Sequence, residues 1–174
     1  MLKRIKQVIS ALTAEINEED KNFIKKHLNQ REQILFWAMN LPDQRHSLNV
    51  AYTAIDLAKE IADVDEALLI KASLLHDVGK VYGDVSTFDK IVTVIADKFV
   101  PTWSKKWAKL GQGNKLDNLR HAFYIYFHHA KRSEAKLQTI GLMELAILVS
   151  KHHKAPAGDD PLELILLRKA DDKN

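Results

Sequence analysis

Residues 73–80 read SLLHDVGK, and this stretch sets a histidine and an aspartate, His76 and Asp77, side by side at the end of an apolar run. Working outward, Asp65 is a suitable N-cap, and Leu68, Ala72, Leu75 and Gly79 then recur at the spacing of one helical face. The stretch is therefore the end of a helix whose pattern predicts burial. Burying polar groups costs free energy unless something pairs with them. The partner is a hydrogen-bond network, a salt bridge or a metal ion, and the rest of the chain decides between these.

The same helical period runs through nearly all of the sequence. Apolar positions at three- and four-residue spacing predict helices over 2–13 and 18–39, the second carrying Ile24, Leu28, Ile34, Leu35 and Met39. Pro42 and Asp43 open another, with Val50, Ala51, Ile55, Leu57 and Ile61. Further helices are expected over 87–99, 117–130, 133–140, 142–152 and 160–172. KIVTVIAD at 90–97 is β-branched but lies among helices and is read as helical. The stretch 100–116, VPTWSKKWAKLGQGNKL, is read as a loop or short helix. The expected fold is all-α: a single-domain helical bundle, with residues 1–40 as an N-terminal helical segment packed on a core formed by 41–174.

At 174 residues the chain is long enough for one well-buried core. Hydrophobic residues make up 46% and charged residues 28%, as in a globular domain. The absence of cysteine excludes disulfides, thiolate metal sites and cysteine nucleophiles. LMELAILV at 142–149 is too short to span a bilayer and includes Glu144. MLKRIKQVIS at the start lacks the apolar region of a secretory signal, so no membrane partner and a cytoplasmic location are expected. The formal net charge of +3 suits a protein that handles phosphorylated ligands.

Six of the eight histidines are candidates for one site: His46, His76, His128, His129, His152 and His153. Asp77 and the pair Asp171/Asp172 add carboxylates. Imidazole suits Mn, Fe, Co, Ni and Zn, a carboxylate can bridge two ions, and helical bundles collect such ligands from facing helices. His128 and His129 diverge by about 100° on a helix, as do Asp171 and Asp172, so one member of each pair is expected to point inward. His121, seven residues before His128, shares that residue's face. His27 sits among lysines and reads as solvated.

The order His46, His76-Asp77, Asp171 resembles the HD superfamily of metal-dependent phosphohydrolases, and LLHDVGK resembles the doublet usually written HDIG. HAKRSEAKLQTIG from His129, the doublet in SKHHKAP and the ending LLRKADD resemble the HD-GYP branch. The resemblance implies an HD-domain bundle in which His46, His76, Asp77 and Asp171 surround one divalent transition metal ion. Asp77 would bridge to a second ion held by His129, His152 and His153. It favours His129 over His128 and Asp171 over Asp172. KAPAGDDP follows the histidine doublet, with no Gly-Tyr-Pro, and Ala130 stands where that branch has proline.

The implied function is hydrolysis of a nucleotide or other small phosphate ester at a His/Asp binuclear centre of Fe, Mn, Co, Ni or Zn ions. Lys80, four residues after His76, is positioned to meet phosphate oxygens and is expected to act with Asp77 in catalysis. Arg45, Lys105 and Lys106 are further candidate phosphate contacts, the last two between Trp103 and Trp107. A catalytically weak metal- and nucleotide-binding regulatory module is the alternative. Nucleic acid is not the expected partner, its only support being the basic 102–115 stretch.

Overall fold

In the computed structural model, which describes residues 14–86, 88–89, 92–93, 95–96 and 101–174, the chain is all-α, with no strand among the described residues. The helices are α1 (Glu18–His27), α2 (Gln30–Trp37), α3 (Leu41–Ala58), α4 (Glu66–Leu75), α5 (Pro101–Trp107), α6 (Lys115–Thr139), α7 (Met143–Ser150) and α8 (Leu162–Lys173). Between α4 and α5, the described residues 88–89, 92–93 and 95–96 are also helical. The helix expected over 2–13 lies outside the described residues. No helix among them is long and apolar enough to cross a membrane.

Helix α4 is the centre of the molecule, packed against α1, α2, α3, α7 and α8. Its sequence explains this: Leu69, Ile70, Ala72, Ser73, Leu74 and Leu75 are all buried. A helix that is apolar all round belongs inside a fold, not on its surface. The single face expected from Leu68, Ala72 and Leu75 is thus only part of what is buried. Asp65 caps its start, accepting the amide of Leu68 at 2.9 Å, and Glu163 of α8 accepts the amide of Asp65 at 2.8 Å.

Two helix boundaries depart from the periodicity. The run 18–39 is broken at Leu28, because Asn29 and Glu32 form a capping box that starts α2. Buried Glu32 also takes the ammonium of Lys71 at 2.7 Å, tying α2 to α4. Conversely, 117–130 and 133–140 are one helix, α6, since no glycine or proline interrupts Lys115–Thr139. It ends in a Schellman arrangement, with Gly141 at φ 84° and the Leu142 amide on the Leu137 carbonyl at 3.1 Å. Ile24, Leu28, Phe36 and Met39 of the N-terminal helices share one hydrophobic core with α3, α4, α7 and α8.

After α4 the chain turns hard against α6 at Gly79. A Cβ there would overlap the His129 carbonyl oxygen and lie 2.8 Å from the Ser133 amide nitrogen. Glycine's missing side chain permits this approach. The Gly79 amide donates to Ser133 Oγ at 2.8 Å, and Arg132 Nε donates to the Gly79 carbonyl at 2.8 Å. Gly79→Ala is expected to destabilise the fold by about 3 kcal/mol, the cost of overpacking a close-packed contact. Ser133→Ala should cost about 1 kcal/mol, one net hydrogen bond. Urea midpoints of both variants check the order.

Candidate metal centre

Five elements deliver ionisable side chains to one place. His46 comes from the middle of α3, His76 and Asp77 from the turn that ends α4, and His129 from α6. His152 and His153 come from the turn after α7, and Asp171 from α8. Asp77 is 1% exposed and stands between two groups. Its Oδ2 is 3.5 Å from His76 Nε2 and 4.0 Å from His46 Nε2, while its Oδ1 is 3.5 Å from His129 Nε2. On the first side, Asp171 Oδ1 lies 3.0 Å from His46 Nε2 and 3.8 Å from His76 Nε2. On the second, His129 and His153 bring their Nε2 atoms to 2.8 Å.

The backbone sets which nitrogen each ring presents. His76 Nδ1 donates to the Ser73 carbonyl at 2.8 Å, His129 Nδ1 to Tyr126 at 2.7 Å, and His152 Nδ1 to Val149 at 2.6 Å. A carbonyl only accepts, so each Nδ1 carries the proton and each neutral ring offers an Nε2 lone pair. For His76 and His152 the carbonyl belongs to the last turn of the preceding helix.

His76 Nε2, His152 Nε2 and Asp77 Oδ1 are buried without a hydrogen-bond partner. Leaving each unsatisfied costs about 1–3 kcal/mol, and a cation would satisfy all of them together. Three sets have donor atoms within 4.8 Å of one another: His46, His76 and Asp171; His129, His152 and His153; and His76, Asp77 and His152. Imidazole nitrogen with carboxylate oxygen is a donor set suited to divalent transition ions, and the residues present fit such a group.

The electrostatics agree. Burial opposes the charge on Asp77, but Lys80 and the surrounding histidines hold its carboxyl well below the usual range. Burial also opposes the charge on Asp171, where His46 and His76 more than compensate and lower it. Lys80 Nζ donates to Asp77 Oδ2 at 2.7 Å. Despite its burial, the carboxylates of Asp77, Asp43 and Asp171 raise the Lys80 ammonium above its ordinary value. Burial first, then neighbouring positive charge, drives His129 well below 6.5 and takes His152 to about 3. His129 and His152 are therefore neutral and free to donate lone pairs.

The expected site residues divide clearly. His46, His76, Asp77, Lys80, His129, His152, His153 and Asp171 converge. His128 points elsewhere and packs at a tilt against Tyr124, ring centres 4.5 Å apart, and Asp172 is exposed. Arg45, expected near phosphate, instead turns toward the N-terminal segment. Its guanidinium pairs with buried Asp20 and its Nε donates to the Glu15 carbonyl at 2.9 Å. The Asp20 carboxylate also takes the Tyr52 hydroxyl at 2.8 Å, and burial together with that bond pushes the phenol up to about 12.

Lys105 and Lys106 are exposed on α5, and Lys105 acts electrostatically on His128. Trp103 and Trp107 stack at 5.0 Å and pack edge-on against Phe123 of α6. His121 is buried, takes the Gly111 amide at 3.2 Å and faces Asp84.

Three supporting residues escaped the motif reading. Ser133 and Arg132 hold the turn at Gly79 against α6. Arg168 donates to Asp160 at 2.6 Å and to the Lys151 carbonyl at 2.9 Å, fixing the turn that carries His152 and His153. The available signal is spacing: Arg132 and Ser133 follow His129 by three and four residues, and Arg168 precedes Asp171 by three.

The family described as HD domain matches residues 44–173, three quarters of the chain, and the chain belongs to that family, whose members are generally metal-dependent hydrolases. No curated protein and no solved structure matches the chain significantly.

The lowered histidines predict a pH dependence of the metal-free protein. A group whose folded pKa lies below its unfolded value stabilises fully above the unfolded value and loses that contribution as pH falls. His129 and His152 should therefore make the apo protein less stable below about pH 6.5. The combined slope should approach about 2–3 kcal/mol per pH unit below pH 6. Urea midpoints measured from pH 7.5 to 5 test this, and His152→Gln should flatten the profile. A flat wild-type profile would mean that these rings are not held neutral.

Proposed function

We propose that this HD-domain protein is a phosphohydrolase that cleaves a nucleotide or other small phosphate ester, using two divalent transition metal ions. The observation that carries the reading is the placement of Asp77, whose two oxygens face opposite sets of imidazole nitrogens. His46, His76, Asp77 and Asp171 would hold one ion, and Asp77, His129, His152 and His153 the other. Fe, Mn, Co, Ni and Zn all suit these donors. Divalent ions bound there supply positive charge that polarises a phosphoryl group and acidifies water.

The chain's own residues do the rest. The backbone carbonyls orient His76, His129 and His152 before anything binds, so little reorganisation is needed. Asp77 stays ionised because Lys80, the largest of the influences opposing its burial, holds it so. Lys80, held charged beside Asp77, is placed to draw in the phosphate and to balance charge developing on its oxygens. His153 is exposed while His46 and Asp171 are half-buried, so the cluster opens to solvent on their side. With KAPAGDDP after the histidine doublet, nothing in the sequence matches the Gly-Tyr-Pro element associated with cyclic dinucleotides.

Elemental analysis of protein reconstituted with each metal should find about two ions per chain. Asp77→Ala should lose both ions and all phosphatase activity, while His153→Ala should deplete mainly one. Lys80→Ala should keep the metal but lower kcat/KM about 100-fold, the scale seen when a single charge-stabilising donor is removed. Full metal content in both ligand variants would overturn the assignment. Metal binding without phosphate release from any ester would leave a binding module.

A further inference from the structure

Arg45 and Tyr52 stand seven residues apart on α3, about two helical turns, and so share one face. Both grip the same carboxylate. The Tyr52 hydroxyl donates to Asp20 Oδ1 at 2.8 Å, and the Arg45 guanidinium pairs with Oδ2. Asp20 is buried, and its own helix fixes it: Oδ2 also accepts the Asn17 amide at 3.0 Å in a capping box. Helix α1 in turn packs against α4, with Ile24 in the shared core. Phe23 of α1 lies against the Tyr52 ring, ring centres 4.9 Å apart.

His46 and Thr53 form a second stripe with the same spacing, turned about 100° from the first. This stripe meets α8. His46 Nε2 lies 3.0 Å from Asp171 Oδ1, and Thr53 Oγ1 accepts from Asn174 Nδ2 at 2.9 Å. Any turn of α3 about its axis moves both stripes together. Side chains reach about 5–6 Å from a helix axis, so a rotation of about 20° would carry the His46 ring about 2 Å. Metal–ligand distances hold to about 0.2 Å, so such a rotation would take His46 out of bonding range. Asp20, gripped at two points of α3 and seated on the helix that leads into His76 and Asp77, opposes that rotation.

Resting on the two-ion reading, we infer that Asp20 is a positioning residue for the metal centre. By holding Arg45 and Tyr52 it sets the rotation of α3 and aims His46 at the ion shared with His76, Asp77 and Asp171. Asp20 lies outside residues 44–173, so the HD-domain match does not include it. The ion assigned to Asp77, His129, His152 and His153 takes no ligand from α3 and does not depend on this grip.

Calorimetric titration of the metal-free protein with Zn²⁺ tests the inference. Asp20→Asn and the milder Tyr52→Phe should weaken one of the two sites about tenfold, the scale for losing a residue that orients a ligand, and leave the other within about twofold. Arg45→Lys, which keeps a charge beside Asp20, should lose less affinity than Arg45→Ala. Ile24→Val loosens α1 in the core without touching Asp20, and should leave both sites unchanged. In NMR spectra of the metal-free protein at one fixed pH, Asp20→Asn should shift the His46 ring signals and leave those of His129 in place. Unchanged constants in both Asp20→Asn and Tyr52→Phe would overturn the inference, as would equal weakening of the two sites or the same loss in Ile24→Val. If the wild-type protein takes up no Zn²⁺, the two-ion reading fails, and the His46 signals still decide whether Asp20 sets that ring.

Discussion

A carboxylate buried at the end of the central apolar helix is the constraint on which the rest of the structure depends. Asp77 is 1% exposed, and an isolated ionised carboxylate in that position would be strongly unfavourable. It remains ionised because positive and polarisable groups meet it from several directions: Lys80 from its own turn, His76 beside it, His46 from α3 and His129 from α6. Each of those groups comes with a helix attached. Satisfying one buried charge therefore fixes the relative positions of α3, α4 and α6. Asp171, lying against His46 and His76, brings in α8 as well.

The histidines add a second, directional constraint. Three rings give their Nδ1 protons to carbonyls three residues back, and their Nε2 atoms then have nowhere to point but inward. Two of those carbonyls lie in the last turns of α4 and α7, and the third is inside α6. The same contact serves at two helix ends and inside α6, so it is a local backbone device that fixes each ring wherever it sits. The clamp at Gly79 sets the remaining distance, because the His129 carbonyl and the Ser133 amide lie against its α-carbon. Asp77 Oδ1 faces His129 only because that turn packs so closely on α6.

Much of this was legible in the sequence because it is encoded locally. Asp65 as a cap, Pro42 at the start of α3 and the doublet at the end of an apolar helix are all short-range signals. The histidines and aspartates that converge were nameable from their order along the chain. What could not be read depends on partners distant in sequence. Arg45 neighbours His46, yet its partner is Asp20, 25 residues earlier, and a helix turns adjacent side chains about 100° apart. Lys105 and Lys106 look like a phosphate grip beside two tryptophans, but Phe123 draws those rings onto α6 and leaves the lysines in water. The break at Asn29 was local and readable: a capping box outweighs a continuing apolar period. Arg168 sits inside LLRKADD, yet its role could not be read there, since it holds a backbone carbonyl 17 residues away.

The site is asymmetric, and the asymmetry bears on how it would work. On one flank His153 is exposed, with His46 and Asp171 half-buried, so solvent reaches the cluster there. On the buried side Lys80 donates to Asp77 at 2.7 Å, so a fixed positive charge backs the carboxylate away from the opening. An anion approaching from solvent therefore meets the histidines and Asp171 first and the ammonium behind them. The turn that carries Asp77 and Lys80 owes its place to Gly79, which lies against the His129 carbonyl and the Ser133 amide of α6. The burial of Asp77 and the side on which the cluster opens both follow from how that one turn sits on α6.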